Sequence, residues 1–258
     1  MTIELAFESV GSGPPIVVLH GLFGSGNNWR SVANSLAEQH TVTTVDLRNH
    51  GASPWADSMG YLEMADDVRR LIERLQLLRP AVMGHSMGGK TAMALALMYP
   101  ELVGRLIVVD IAPVGYADTL TPFAQAMSSV DVITAASRTE VQRRLSPLLP
   151  DPSIAPFLVQ NLVSRNDHFD WRINLAAITA AMAGLSDFPS ALHGLLFKRP
   201  VTAIVGERSD YVVPRDATPF APMFTRVAVE VIAGAGHWVH ADQPQAFVRA
   251  VQKALGNG

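Results

Sequence analysis

Ala81-Val82-Met83-Gly84-His85-Ser86-Met87-Gly88-Gly89-Lys90-Thr91 is the stretch on which the reading of this chain turns. Ala81–Met83 is a short apolar run that reads as a buried strand breaking at Gly84. Met87 to Met98 is rich in Ala, Leu and Met and reads as a helix. Two chemistries fit the junction. Gly84-x-Ser86-x-Gly88 matches G-x-S-x-G, in which a sharp strand-to-helix turn lifts a serine hydroxyl clear of a sheet. The two glycines remove side chains that would collide where strand and helix come close. Gly84-x-x-x-x-Gly89-Lys90-Thr91 equally matches G-x-x-x-x-G-K-[ST], a phosphate-binding P-loop. Leu106–Val109 followed by Asp110 even resembles the strand and aspartate that hold magnesium in such NTPases. The motif alone does not separate these readings.

Outward from it, strands alternate with helices. Ile16–Leu19 and Val42–Val45 are buried runs, and Leu62, Ala65, Val68, Ile72 and Leu75 mark a helix between the second run and Ala81. The alternation stops after Asp110 and resumes with strands at Val201–Val205 and Val227–Ile232 and a closing helix through Val248 and Leu255. Such alternation predicts an α/β fold with a mostly parallel central sheet and helices on both faces. Residues 116–198 read as helical and irregular, without a strand, between Pro113 and Pro200. Residues 1–115 and 199–258 are therefore expected to form the core domain, and 116–198 a helical cap insertion.

The bulk properties exclude several classes. With 258 residues, 48% of them hydrophobic, the chain can bury a sizeable core. A net charge of −3 gives no basic footprint for nucleic acid. Cysteine is absent, so disulfides and thiolate chemistry are excluded. No run approaches the ~18 apolar residues of a membrane span. The start, MTIELAFESVGSGPP, lacks a basic stretch followed by an apolar one, so the cytoplasm is the expected location. A eukaryotic source with a removed transit peptide would instead imply a mitochondrion.

Gly234-Ala235-Gly236-His237 separates the two chemistries. It follows the last strand and precedes the last helix, where an α/β-hydrolase carries its general base, after the serine in chain order. A P-loop enzyme has no use for it. His20-Gly21-Leu22-Phe23-Gly24, just after an early strand, supplies a third feature. A backbone N–H from that loop, assigned to Leu22, and the N–H of Met87 would form an oxyanion hole. His237 and His240 lie three apart, but no third ligand is evident and there is no H-E-x-x-H, so no metal is expected. A catalytically silent binding protein on the same fold is the third reading, against which the intact Ser86 and His237 weigh.

The sequence resembles the YbfF-like bacterial esterases and the mitochondrial abhydrolase-domain-11 proteins, a branch of the α/β-hydrolase superfamily. The resemblance runs through HGLFGSGNNW from His20, DLRNHGASP from Asp46, GHSMGGKTAM from Gly84, ELVGRLIVVDIAPV from Glu101, WRINL from Trp171 and GAGHWVHADQP from Gly234. It implies a serine esterase or acyl-thioesterase with a helical cap and no cofactor, and makes Lys90-Thr91 a family habit rather than a phosphate site. Ser86 is then the expected nucleophile and His237 the base. The triad acid is expected at Asp110, with Asp210 the alternative. Gly206-Glu207-Arg208-Ser209-Asp210 resembles the acid-bearing loop of many α/β-hydrolases, but members of this branch often lack an aspartate there and retain the run ending at Asp110. A strand next after the nucleophile strand should also lie beside it. The substrate is expected to be a small molecule with a small, mostly apolar acyl group. Phe23, Trp238, Phe123 and Trp171, with Met127, Phe157 and Leu158, are the candidate pocket residues, although aromatic and Met side chains in a cap more often pack it onto the core.

Overall fold

The computed structural model describes residues 3–256. Its elements in chain order are β1 (Phe7–Val10), β2 (Pro15–Leu19), α1 (Arg30–Leu36), β3 (Thr41–Val45), α2 (Tyr61–Arg74), β4 (Ala81–His85), α3 (Met87–Met98) and β5 (Arg105–Val109). Then follow α4 (Thr121–Ser129), α5 (Arg138–Leu145), α6 (Ala155–Leu158), β6 (Leu162–Arg165), β7 (His168–Trp171) and α7 (Leu175–Ser186). The chain returns through β8 (Val201–Gly206) and β9 (Val227–Ile232), and ends with α8 (Val239–Asp242) and α9 (Pro244–Leu255).

Among the described residues, seven strands form one sheet in the order β1-β3-β2-β4-β5-β8-β9. Only β1 runs antiparallel, pairing Phe7 with Val45 through Val10 with Val42. The inner strands are covered on both faces, and alternate residues go to opposite sides. Val17, Val82, Leu106 and Val108 pack under α2 and α3, while Ile16, Val18, Met83, Ile107 and Val109 pack under α1 and α9. Helix α2 buries Tyr61, Met64, Ala65, Val68, Leu71 and Ile72, one stripe at helical spacing. Helix α3 is buried along almost its whole circumference, as its apolar composition requires. Among the described residues, no helix is long and apolar enough to cross a membrane.

Two features differ from the sequence reading. Strand β1 is an exposed edge strand, FESV, with no apolar run to announce it. Residues 116–198 contain a hairpin, β6 with β7, where no strand is expected from the sequence. Its two-residue turn places Asn166 at φ 50°, a conformation asparagine tolerates. This segment is tied to the loop after β3. Trp55 Nε1 donates to Arg172 O, and Asn174 Nδ2 donates to Asn49 Oδ1 and Ala56 O. That loop is itself held by Arg48, whose guanidinium grips Asp67 at 2.7 and 3.0 Å, both side chains fully buried.

Candidate active site

Ser86 stands between β4 and α3 with φ 51° and ψ −118°, a strained conformation for a residue with a Cβ. The turn is possible only because its neighbours are glycines. A Cβ on Gly84 would lie 2.1 Å from Gly88 O, and one on Gly88 would lie 2.5 Å from His20 O. Ser86 N–H donates to Val109 O on the neighbouring strand, which fixes the turn to the tip of β5. The same residues do not build a phosphate loop. Met87 through Thr91 already lie in the helix, and Lys90 Nζ points away to donate to Ser186 O and Asp187 O.

Asp110 follows β5, beside β4 in the sheet, and is fully buried with φ 53°. Its Oδ2 accepts from His237 Nδ1 at 2.7 Å. Oδ1 accepts the Gly206 N–H at 2.9 Å, and the Ser209 hydroxyl also donates to Oδ2. Asp210 lies exposed on the same loop as Ser209 and does not reach His237. The His237 ring is stacked on Tyr211 with centroids 4.0 Å apart and lies 4.6 Å from the His85 ring. His85 Nε2 donates to the His237 carbonyl at 2.9 Å, and burial keeps His85 neutral by pushing its pKa well down. Ser86 Oγ is not hydrogen-bonded to His237 here. Such contacts are often long without substrate and tighten on binding.

The Leu22 and Met87 N–H groups have no protein acceptor among the described residues. The neighbouring Phe23 N–H is taken by His50 Nε2 at 3.2 Å, and Phe23 itself sits at φ 60°. Asn161, from the segment between β5 and β8, donates to Phe23 O at 2.7 Å.

Ser86 and His237 open onto a cavity of about 910 Å3. Phe23, Phe123, Phe157, Leu158 and Trp238 border it. Trp171 and Met127 do not: the buried Trp171 indole donates to Met127 O, so these two hold the segment's own core together. Ser209, Tyr211, His50 and Asn161 brace the site without a role that the sequence announces: His50 and Ser209 lie inside the runs from Asp46 and Gly206, and Tyr211 and Asn161 lie in no motif. Among the described residues no group of His, Asp and Glu side chains converges as a metal site.

A serine on a strained strand-to-helix turn, a buried aspartate on the next strand's tip and a histidine after the last strand define an α/β-hydrolase. Residues 14–244 match the family model described as the alpha/beta hydrolase fold, and the chain belongs to that family, on its YbfF- and ABHD11-like branch. It is 38% identical over 247 residues to the sn-1-specific diacylglycerol lipase ABHD11 of Xenopus laevis, covering 93% of this chain and 78% of the relative. It is 34% identical over 250 residues to esterase YbfF of Escherichia coli (strain K12), covering 94% and 93%. A solved marine microorganism esterase superposes with a TM-score of 0.93 at 35% identity, covering 98% of this chain and 99% of the other. The protein is a serine hydrolase acting on esters. Neither a P-loop NTPase nor a silent binding protein fits these findings.

Proposed function

We propose that Ser86, His237 and Asp110 form the catalytic triad, that the N–H groups of Leu22 and Met87 form the oxyanion hole, and that residues 116–198 act as a cap over the core of residues 1–115 and 199–258. The observation that carries this is the 2.7 Å contact between His237 Nδ1 and the buried Asp110 Oδ2. A carboxylate only accepts, so Nδ1 carries the proton and Nε2 is left with the lone pair a general base needs. Ser86 Oγ attacks the acyl carbon as its proton passes to His237 Nε2. The Oγ–acyl bond forms, the bond to the leaving oxygen or sulfur breaks, and that atom takes the proton from His237. Water, deprotonated by the same nitrogen, then releases the acid and restores Ser86. The substrate is an ester or thioester with a small, mostly apolar acyl group, a reading supported by the largely aromatic and aliphatic walls around Ser86.

The test is Ser86→Ala with p-nitrophenyl acetate and a fluorophosphonate probe. The variant should keep its fold, lose covalent labelling, and retain only the residual rate that binding and the oxyanion hole provide. Near-wild-type turnover would overturn the assignment.

A further inference from the structure

Two cavities meet at Ser86, and they differ greatly in size. The large one, about 910 Å3, is bordered by His237, Trp238 and Phe157. The small one, about 40 Å3, is bordered by Leu22, Met87, Ile111, Met182 and Leu185; His237 borders the large cavity and not the small one.

The far wall of the small cavity is the last turn of α7, and that turn is clamped. A helix end leaves its final carbonyls without partners inside the helix. Here side chains of the core supply them. The Tyr61 hydroxyl donates to Leu185 O at 2.6 Å. Lys90 Nζ donates to Ser186 O at 3.0 Å and to Asp187 O at 2.8 Å. The Tyr116 N–H adds a bond to Ser186 O at 2.9 Å. A cation at the C-terminal end of a helix also meets the negative end of its dipole. Lys90 is 2% exposed and lies 4.9 Å from the centre of the Tyr116 ring. Burial pulls its pKa down to about 8, with Asp187 opposing, so the ammonium is charged at neutral pH. The residue that imitates a P-loop lysine is the peg that holds the wall.

Resting on the triad reading above, we infer that the small cavity is the acyl site, that the large cavity takes the leaving group, and that Met182 and Leu185, held by Lys90 and Tyr61, set the limit on acyl length. The assignment follows from the tetrahedral adduct. Its carbon carries Ser86 Oγ, the oxyanion, the leaving atom and the acyl chain. The oxyanion faces Leu22 and Met87. The leaving atom must face His237, because that residue protonates it, and so it lies on the side of the large cavity. The acyl chain takes the remaining direction, toward Met182. A cavity of this size admits a few water-sized groups, hence an acyl chain of about two to four carbons. Each methylene beyond the limit should cost roughly ten- to 200-fold in kcat/KM. Lys90 is thus a positioning residue, acting through α7.

Two ester panels test this. In the first, the leaving group stays p-nitrophenol while the acyl chain grows from acetate to octanoate. In the second, acetate is kept while the alcohol grows. The wild type should be steep in the first panel and tolerant in the second. Met182→Ala should raise the hexanoate-to-acetate ratio of kcat/KM at least tenfold. Lys90→Met should relax the acyl limit in the same direction while preserving the alcohol profile, a selective change that a general loss of stability would not give. Fluorophosphonate labelling of Ser86 is the control: a wild type that resists it sinks the triad reading itself. If Ser86 labels normally but octanoate is cleaved as well as acetate, or alcohol length rather than acyl length is restricted, the division of the two cavities is wrong. The wild-type panels decide this even if a variant fails to fold.

Discussion

Replacing Asp110 by Asn should cripple the enzyme through the wrong tautomer of His237. The Gly206 N–H donates to Asp110 Oδ1, so in the variant the amide oxygen must occupy that side. The amide NH2 then faces His237 Nδ1, where the carboxylate accepted at 2.7 Å. An NH2 group can only donate there, so Nδ1 must become the acceptor and the ring proton moves to Nε2. A protonated Nε2 cannot take the Ser86 proton. The expected loss in kcat is about four orders of magnitude, equivalent to about 5.4 kcal/mol of transition-state stabilisation. Packing changes little, since Asn and Asp are isosteric, and the variant should stay folded by circular dichroism. The exposed Asp210 provides the comparison, and Asp210→Asn should change kcat less than about threefold, as surface substitutions away from a site usually do. The assay is p-nitrophenyl acetate hydrolysis, with fluorophosphonate labelling to report Ser86 reactivity independently. A large loss for Asp210→Asn beside a mild one for Asp110→Asn would refute the reasoning.

Burial pushes His20 down to about 4 and His50 to about 3, so both are neutral when folded and bind protons on unfolding below their ordinary value of 6.5. Their contribution is therefore complete above about pH 6.5 and is lost as pH falls, on the order of 2.7 kcal/mol per pH unit for the pair; urea midpoints at pH 7 and pH 5 measure it. His50→Gln, which keeps an acceptor for Phe23 N–H, should flatten that slope, and an unchanged slope would count against the account. Gly84→Ala should prevent folding or yield insoluble protein, because its Cβ would meet Gly88 O at 2.1 Å; a soluble, active variant would contradict the elbow geometry. Arg48→Met leaves the buried Asp67 carboxylate with the Ile3 N–H but without its cationic partner and should cost about 3–5 kcal/mol in urea unfolding, with a smaller penalty when Asp67→Leu is added.

The sheet was legible because its inner strands are short apolar runs between turn residues, and α3 was readable to the residue. Strand β1 was not, because an exposed edge strand has no buried face to pattern. The hairpin of β6 and β7 was hidden for a related reason: Val163 to Asp170 includes Ser164, Arg165, Asn166, Asp167 and His168, largely exposed, and only the Asn-Asp turn signals it. Ser86 stands out in the sequence because Gly84 and Gly88 flank it, and His237 because Gly234 and Gly236 lead into it after the last strand. Asp110 and Asp210 could not be separated by spacing, since both follow strands. What distinguishes them is burial and the converging donors from Gly206 and Ser209, which sequence does not display. Trp171 and Trp238 illustrate the same limit: only the fold sends one indole to Met127 O and the other to the cavity wall.

The loop after β2 shows why the chain can afford so many buried histidines. His20 Nδ1 donates to Gly21 O while its Nε2 accepts from Leu47 N–H, and His50 Nδ1 donates to Arg48 O while its Nε2 accepts from Phe23 N–H. Each ring makes one bond as donor and one as acceptor, which only the neutral form allows. The two rings lie 5.0 Å apart and lock the Gly21–Gly24 turn to the loop after β3. Farther along, Gly24 N–H goes to Gly21 O, Ser25 N–H to Asn28 Oδ1 and Gly26 N–H to Asp46 Oδ1. From Phe23 to Gly26 every amide is therefore engaged, whereas the Leu22 N–H has no acceptor among the described residues, and Leu22 and Met87 border the same small cavity. An oxyanion hole must be rigid before the charge arrives, because donors that reorient during reaction lose what they gain. Protonating His50 would remove the acceptor from Phe23 N–H and set a second donor loose in this turn. Neutral histidines thus serve the proposed chemistry by keeping one amide, and not its neighbour, available to the substrate.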